Sequence, residues 1–260
     1  LLHAIYLNMY SLVVGRFYNA TDVGLYNRAS SISQYTTTNI MSILNRVYYP
    51  LLCERQNEDK EFEELFYKYL RLACFIVVPL SFGMASVSEP LIEVVLSHNW
   101  AGAIYPLKIL SWSYALYPWL LVCNQPLRAK GRSDLFLRAE IVKKIAAVII
   151  LLIAVNFGLI ALCYSVMIYN IVDTIIIVSY VKKVMKTCFV LQLKNVASIF
   201  ISGVLMECVV ELSINLLPMP YIAQLFIGIL IGSIMFMLTS MLLRQPEFFS
   251  MIETLKKKMK

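Results

Sequence analysis

The chain has 260 residues, 60% of them hydrophobic and only 15% charged, with a mean hydropathy of +0.72. A soluble domain is nearer a quarter charged, and so much apolar surface left in water would aggregate. The formal net charge of +7 is no nucleic-acid footprint, because no basic stripe shares a surface with stacking aromatics, and no nucleic-acid partner is expected.

Crossing the hydrocarbon takes roughly 20 apolar residues. In chain order the expected spans are 2–17, 27–50, 71–88, 103–125, 138–156, 158–181, 195–216 and 221–243. The fold class expected is an all-α polytopic helical bundle of about eight transmembrane helices. Nearly all of the Lys and Arg residues fall in four patches: Arg55 to Arg71, Arg128 to Lys144, Lys182 to Lys194, and Arg244 onward. The alternate connections at 18–26, 89–102, 156–158 and 217–220 hold no Lys or Arg. Positive charge collects in cytoplasmic loops, so both ends of this chain are expected in the cytoplasm.

The span 27–50 is the most polar. At 100° per residue, Asn27, Ser31, Gln34, Thr38, Ser42 and Asn45 fall within an arc of about 80°, flanked by Arg28, Arg46, Tyr35 and Asn39. Such a stripe is costly against lipid. It lines a water-filled cavity or acts as interhelical hydrogen-bond glue, and the two arginines favour the cavity, because guanidinium holds phosphate bidentately. Arg16 and Arg28 bracket the first basic-free connection, where snorkelling to the interface is the other reading.

The connection after this span interleaves six carboxylates with Phe62, Leu65, Phe66 and Tyr69 at helical spacing. It reads as an amphipathic helix at the cytoplasmic interface over about 56–70. Glu89-Pro90 should interrupt a continuous span and start a short helix at 90–96, and Pro79, Pro106 and Pro118 are kink candidates. Lys108 is expected to snorkel or to pair with Glu89 or Glu93. Asn170 and Asp173 lie one turn apart and are read as a candidate proton or Na⁺ coupling pair, as a carboxylate that neutralises a lysine, or as one kept protonated by burial. Glu207 and Glu211 share a face at i, i+4 with no evident partner. Gly228 and Gly232 suit close helix packing within the chain.

The six cysteines show no paired spacing, and the two histidines, His3 and His98, lie far apart. No disulfide framework or metal site is expected. Nucleophile-elbow, phosphate-loop and zinc-protease motifs are lacking. The expectation is a non-enzyme with no catalytic residues and no cofactor.

Several strings then acquire a joint meaning. They are Val23-Gly24-Leu25-Tyr26-Asn27-Arg28-Ala29, Arg46-Val47-Tyr48-Tyr49-Pro50-Leu51-Leu52, residues 79–83, Glu89-Pro90-Leu91-Ile92 with Trp100, and Gly131-Arg132-Ser133-Asp134. In this order and spacing, across most of residues 1–185, they resemble the Wzx-type polysaccharide flippases of the multidrug/oligosaccharidyl-lipid/polysaccharide (MOP) superfamily. The resemblance implies the C-terminal lobe of a MATE-like fold plus two extra helices. Residues 1–185 would be the transporter lobe, 186–243 the two additional helices and 244–260 a basic cytoplasmic tail, with an N-terminal lobe missing. It places Asn8, Arg16, Arg28, Gln34, Asn45 and Arg46 near a central cavity and a lipid-tail groove at 195–243. It also implies a bacterial inner-membrane flippase for an undecaprenyl-diphosphate-linked oligosaccharide, with membrane lipids as the other partners. A drug/cation antiporter of the same superfamily, or a non-transporting membrane subunit of polysaccharide assembly, are the alternatives.

Overall fold

The computed structural model describes residues 15–216 and 219–258. Ten α-helices run through these residues. They are α1 (Ala20–Glu54), α2 (Asp59–Ser86), α3 (Ser88–Val95), α4 (Ile104–Ala115), α5 (Tyr117–Ala129), α6 (Ser133–Ala154), α7 (Leu159–Val181), α8 (Phe189–Leu216), α9 (Tyr221–Leu242) and α10 (Pro246–Lys258). Four of them, α2, α7, α8 and α9, are apolar and long enough by themselves to cross a membrane. Of the expected spans, 2–17 falls largely outside the described residues.

Helix α1 starts a turn or two earlier than its apolar pattern suggests. The Asn19 side chain accepts a hydrogen bond from the Asp22 backbone N–H at 2.8 Å, a cap that satisfies one free donor of the first turn. The expected connection at 18–26 is thereby reduced to Tyr18 and Asn19.

The amphipathic segment expected at the interface is instead the first half of α2. Its helical spacing is as read, but Phe62, Phe66, Tyr69 and Leu70 are fully buried in the main apolar cluster, so their apolar stripe faces protein and not headgroups. Helix α2 is the central strut, packed against α1, α4, α5 and α8. It runs unbroken through Pro79. The predicted break at Glu89-Pro90 occurs at Val87, and the span 103–125 divides at Leu116, just ahead of Pro118 in the first turn of α5.

At the end of α5, Gly131 adopts φ +68° and the Arg132 N–H reaches back to the Leu127 carbonyl at 2.9 Å. A left-handed residue closing a helix in this way is ordinarily Gly. The segment 244–260, expected as a tail, holds helix α10, tied to α2 by the two-pronged Arg71–Glu247 pair at 2.6 and 3.0 Å.

Among the described residues, the segments that carry the four basic patches meet at one end of the bundle. Lys130 bonds Asp59 at 2.6 Å, the Lys186 N–H bonds Glu63 at 2.8 Å, and Arg71 bonds Glu247. The first three basic-free connections meet at the other end, where the Tyr18 hydroxyl donates to the Val155 carbonyl at 2.8 Å and Arg28 lies over the Trp100 ring.

The interior forms two apolar clusters, the larger around α2, α5 and α8 and the smaller around α3, α4 and Tyr26. Three consecutive residues of α4 bring hydrogen bonds into this interior. Ser111 meets Ser33 of α1 at 3.2 Å, the Trp112 indole donates to Glu207 of α8 at 2.7 Å, and Ser113 accepts from Asn170 of α7 at 2.8 Å. At 100° per residue, three neighbours on a helix point to three different partners. One short helix thus pins three others.

Candidate functional site

The side of α1 turned into the bundle carries Tyr26, Ala29, Ser33, Thr37 and Met41. Its outer side carries Asn27, Arg28, Ser31, Gln34, Tyr35, Asn39, Ser42 and Arg46, all exposed, with Thr38 half-buried and the exposed Ile43 and Val47 at one margin. Tyr35 is 72% exposed. The arginine edge of the predicted stripe therefore sits near the middle of the exposed face, and the stripe's other edge turns inward.

The outward faces of α6, α7, α8 and α9 present Ile145, Ile149, Ile171, Ile201, Phe226 and Ile234 and other large aliphatic and aromatic side chains, which is a surface suited to lipid. On α1 the hydroxyls of Ser31, Thr38 and Ser42 bond back to carbonyls one turn earlier. The amides of Gln34 and Asn39 and the guanidinium of Arg46 have no partner among the described residues. Groups of that kind are several kcal/mol uphill in hydrocarbon, so this face is built for water, ligand or other protein.

Asn45 differs from the rest of the stripe. It is half-buried, and its Oδ1 accepts from the Tyr69 hydroxyl and from Gln125 Nε2 at 3.0 Å, while Tyr69 stacks on Tyr48 with ring centroids 4.6 Å apart. It ties α1 to α2 and α5, which is the glue reading at this one position. Gln34, Arg28 and Arg46 stay outward. Arg16 is exposed, and Asn8 lies outside the described residues.

Arg28 and Arg46 are 18 residues apart, or five turns, so they share one azimuth and stand about 27 Å apart along the axis. A single diphosphate cannot touch both. Arg28 belongs to the basic-free end, with its guanidinium 5.8 Å from the centre of Trp100, a cation–π distance. Arg46 follows Asn45 toward the basic end.

Asn170 and Asp173 do not reach this face. Asn170 is buried and gives its amide to the Ser113 carbonyl at 3.1 Å as well as to its hydroxyl. Asp173 is paired at 2.9 Å with Lys143, which also touches Asn124 and Glu140, each at 3.2 Å. Lys143 had been grouped with the second basic patch, yet it is almost wholly buried. The contact sets the Lys143 ammonium against the Asp173 carboxyl group.

Glu207 and Glu211 also gain their explanation. Glu207 accepts from Trp112, Glu211 pairs with Lys108, and Lys108 lies 5.5 Å above the Trp112 ring. Lys108 and Trp112 are themselves i, i+4 on α4, so two one-turn pairs interlock and clamp α8 to the bundle. Lys108 does not pair with Glu89 or Glu93. Sequence reasoning passed over Ser111-Trp112-Ser113 and Gln192, although a polar triplet and a buried glutamine inside apolar spans are visible signals. Gln192 is fully buried and accepts from both Trp119 (2.7 Å) and Cys123 (3.1 Å).

Comparisons with known proteins bear on the sequence and the fold. The model of a polysaccharide biosynthesis protein family matches residues 1–105. The teichuronic acid biosynthesis protein TuaB of Bacillus subtilis is 30% identical over 128 residues, covering 49% of this chain and 26% of that protein. The probable low-salt glycan biosynthesis flippase Agl15 of Haloferax volcanii is 22% identical over 237 residues, covering 90% of this chain and 49% of its own length. This chain thus spans about half or less of the curated relatives it matches. Among solved structures, the lipid II flippase MurJ in an inward closed conformation superposes with a TM-score of 0.74 at 16% identity, over 92% of this chain and 52% of that one. The chain is a polytopic helical membrane bundle, similar in sequence to curated polysaccharide- and glycan-biosynthesis membrane proteins and in fold to a lipid II flippase.

Proposed function

We propose that this chain is the C-terminal half of an inner-membrane flippase. It moves an undecaprenyl-diphosphate-linked oligosaccharide from the cytoplasmic to the outer leaflet by alternating access, together with an N-terminal lobe. Residues 1–185 act as the transporter lobe and 186–243 as two added helices. The observation that carries this reading is the outer face of α1, largely polar with two arginines near its middle, on a bundle whose other outer faces are apolar. The names of the relatives support the substrate class. The convergence of the basic patches at one end supports a cytoplasmic location for that end and for both ends of the chain.

The separation of the arginines divides their work. Arg46, toward the basic end, engages the diphosphate when the cavity opens to the cytoplasm. Arg28 and Arg16, at the other end, engage it before release. Gln34, with Asn8 upstream, contacts sugar, and Asn45 holds the α1 face in place through Tyr69 and Gln125. A coupling ion at Asn170 and Asp173 has to displace the Lys143 ammonium, so any coupling there runs through that pair. A drug/cation antiporter is less well served by this face, because its exposed charges are guanidinium groups and not carboxylates.

The test is complementation of a flippase-null strain with the full-length protein. Arg46→Ala and Arg28→Ala are each expected to cut surface polysaccharide at least about tenfold, the effect of losing one charge-assisted contact, with membrane insertion unchanged. The Arg46→Ala variant should leave lipid-linked oligosaccharide accumulating in the cytoplasmic leaflet. Wild-type polysaccharide levels in both variants contradict the reading.

A further inference from the structure

The basic end holds a cavity that the flipping reading does not use. It has a volume of about 770 Å³ and lies between the first turns of α2 and the α7–α8 connection. Lys60, Lys182, Lys183 and Lys186 line it, together with two acids, Asp59 and Glu63. Both acids are already engaged. Asp59 bonds Lys130 at 2.6 Å, and that ammonium holds its carboxyl below the usual carboxylate range. Glu63 accepts the backbone N–H of Lys186 at 2.8 Å.

The cations are not neutralised in the same way. Elsewhere at this end Arg55 pairs with Glu58 and Glu61, Arg71 with Glu247, and Arg132 with Asp134, whose carboxyl that hydrogen bond lowers to about 2. Around the cavity Lys60, Lys182 and Lys186 make no ion pair among the described residues, and Lys183 only overlies the Tyr180 ring. Three exposed lysines within five residues repel one another, and an anion between them relieves that.

The connection that presents them is fixed in place. The Thr187 hydroxyl is held by Tyr67 at 2.7 Å and by Gln192 at 3.1 Å, and Phe189 stacks on Trp119 at 5.2 Å. The next residues, Val190, Leu191 and Leu193, turn large apolar side chains outward, 42–58% exposed. Leu191 also lines the cavity. A lysine-lined pocket roomy enough for a phospholipid headgroup therefore opens directly onto a greasy helix start at the membrane boundary. This arrangement suits a molecule with an anionic head and acyl tails.

We propose that this pocket binds the headgroup of an anionic phospholipid, with Lys182, Lys183, Lys186 and Lys60 around the phosphodiester and the acyl chains along the start of α8. The site is distinct from the α1 face and does not depend on what that face transports.

The experiment is native mass spectrometry of the full-length protein in detergent, with dioleoyl phosphatidylglycerol or dioleoyl phosphatidylcholine added at equal concentration. Phosphatidylglycerol should be retained in preference to phosphatidylcholine. K182Q/K183Q/K186Q should lower its affinity roughly tenfold or more, since each lysine near an anionic surface contributes a severalfold factor. K182R/K183R/K186R should keep it. K60Q, on a different helix, should give a smaller loss and provides a second reading if the triple variant folds poorly. Equal retention of the two lipids, or undiminished phosphatidylglycerol binding in both Gln variants, overturns the proposal. Displacement of the lipid by millimolar inorganic phosphate would identify a free-anion site and overturn it as well.

Discussion

Lys143 shows how a single residue changes meaning with its surroundings. In the sequence it is one of several cations flanking a connection; in the fold it is buried beside Asp173, Asn124 and Glu140. Removing one partner of a buried pair leaves an uncompensated charge and typically costs about 3–5 kcal/mol, whereas replacing both by apolar groups is often close to neutral. Lys143→Met is accordingly expected to lower the thermal unfolding midpoint in detergent sharply, and the Lys143→Met/Asp173→Leu double variant to recover most of the loss. Additive losses in that double-mutant cycle would mean that the two charges do not depend on each other. Asn45 changed meaning in the opposite direction. It shares an azimuth with Asn27, but Tyr69 and Gln125 take up its oxygen. Periodicity fixes the face a residue belongs to and not whether a tyrosine from the next helix reaches it.

Among the elements, the contact between α2 and α8 is the most extensive in the bundle, and small residues set its closeness. A Cβ at Gly203 would stand 2.8 Å from a Phe82 ring carbon and 3.0 Å from Val78. At Gly228 it would meet Val87 at 2.8 Å. The G-x-x-x-G of α9 thus packs against its own chain, as the sequence suggested. Gly203→Leu is expected to destabilise by about 1–3 kcal/mol through overpacking, read as a lower unfolding midpoint. Gly24→Ala, inside α1 with nothing within 4 Å, should be neutral or stabilising by about 0.5–1 kcal/mol through helix propensity alone. The reverse order of these two variants would contradict the packing described. The clamp of Lys108 and Trp112 on Glu207 and Glu211 adds polar contacts to the same attachment and gives a structural reason for two carboxylates on a helix that faces lipid on its other side.

At the scale of the whole molecule, the positions of the helices were legible because hydropathy and charge placement report directly on the solvent each segment meets. The approximate helix positions and the segregation of basic connections follow from that, and the break near Glu89-Pro90 follows from the proline, whereas α1 and α2 start well before their apolar runs and the span 103–125 divides at Leu116. The depth of burial was less legible. The first half of α2 has the pattern of an interfacial helix, because an apolar stripe looks the same whether its partner is a bilayer or the core. The site was legible as a stripe, while its orientation was not: α4 and α5 cover the Ser33 and Thr37 side, leaving Arg28, Tyr35, Asn39 and Arg46 outermost. Ser111, Trp112, Ser113 and Gln192 became meaningful only once the helices they connect were placed.

In the proposed flippase the outer face of α1 meets water inside the membrane while the outer faces of α6 and α9 meet lipid. Single cysteines at Ser31, Thr38 and Ser42, and at Ile149 and Ile234 for comparison, can be placed in the full-length protein after replacement of its native cysteines, then exposed in intact cells and inverted vesicles to a membrane-impermeant maleimide. Labelling is expected at 31, 38 and 42 from at least one side and none at 149 or 234. If 31, 38 and 42 resist the reagent from both sides as completely as 149 and 234 do, the face is not a cavity wall and the flippase assignment fails with it.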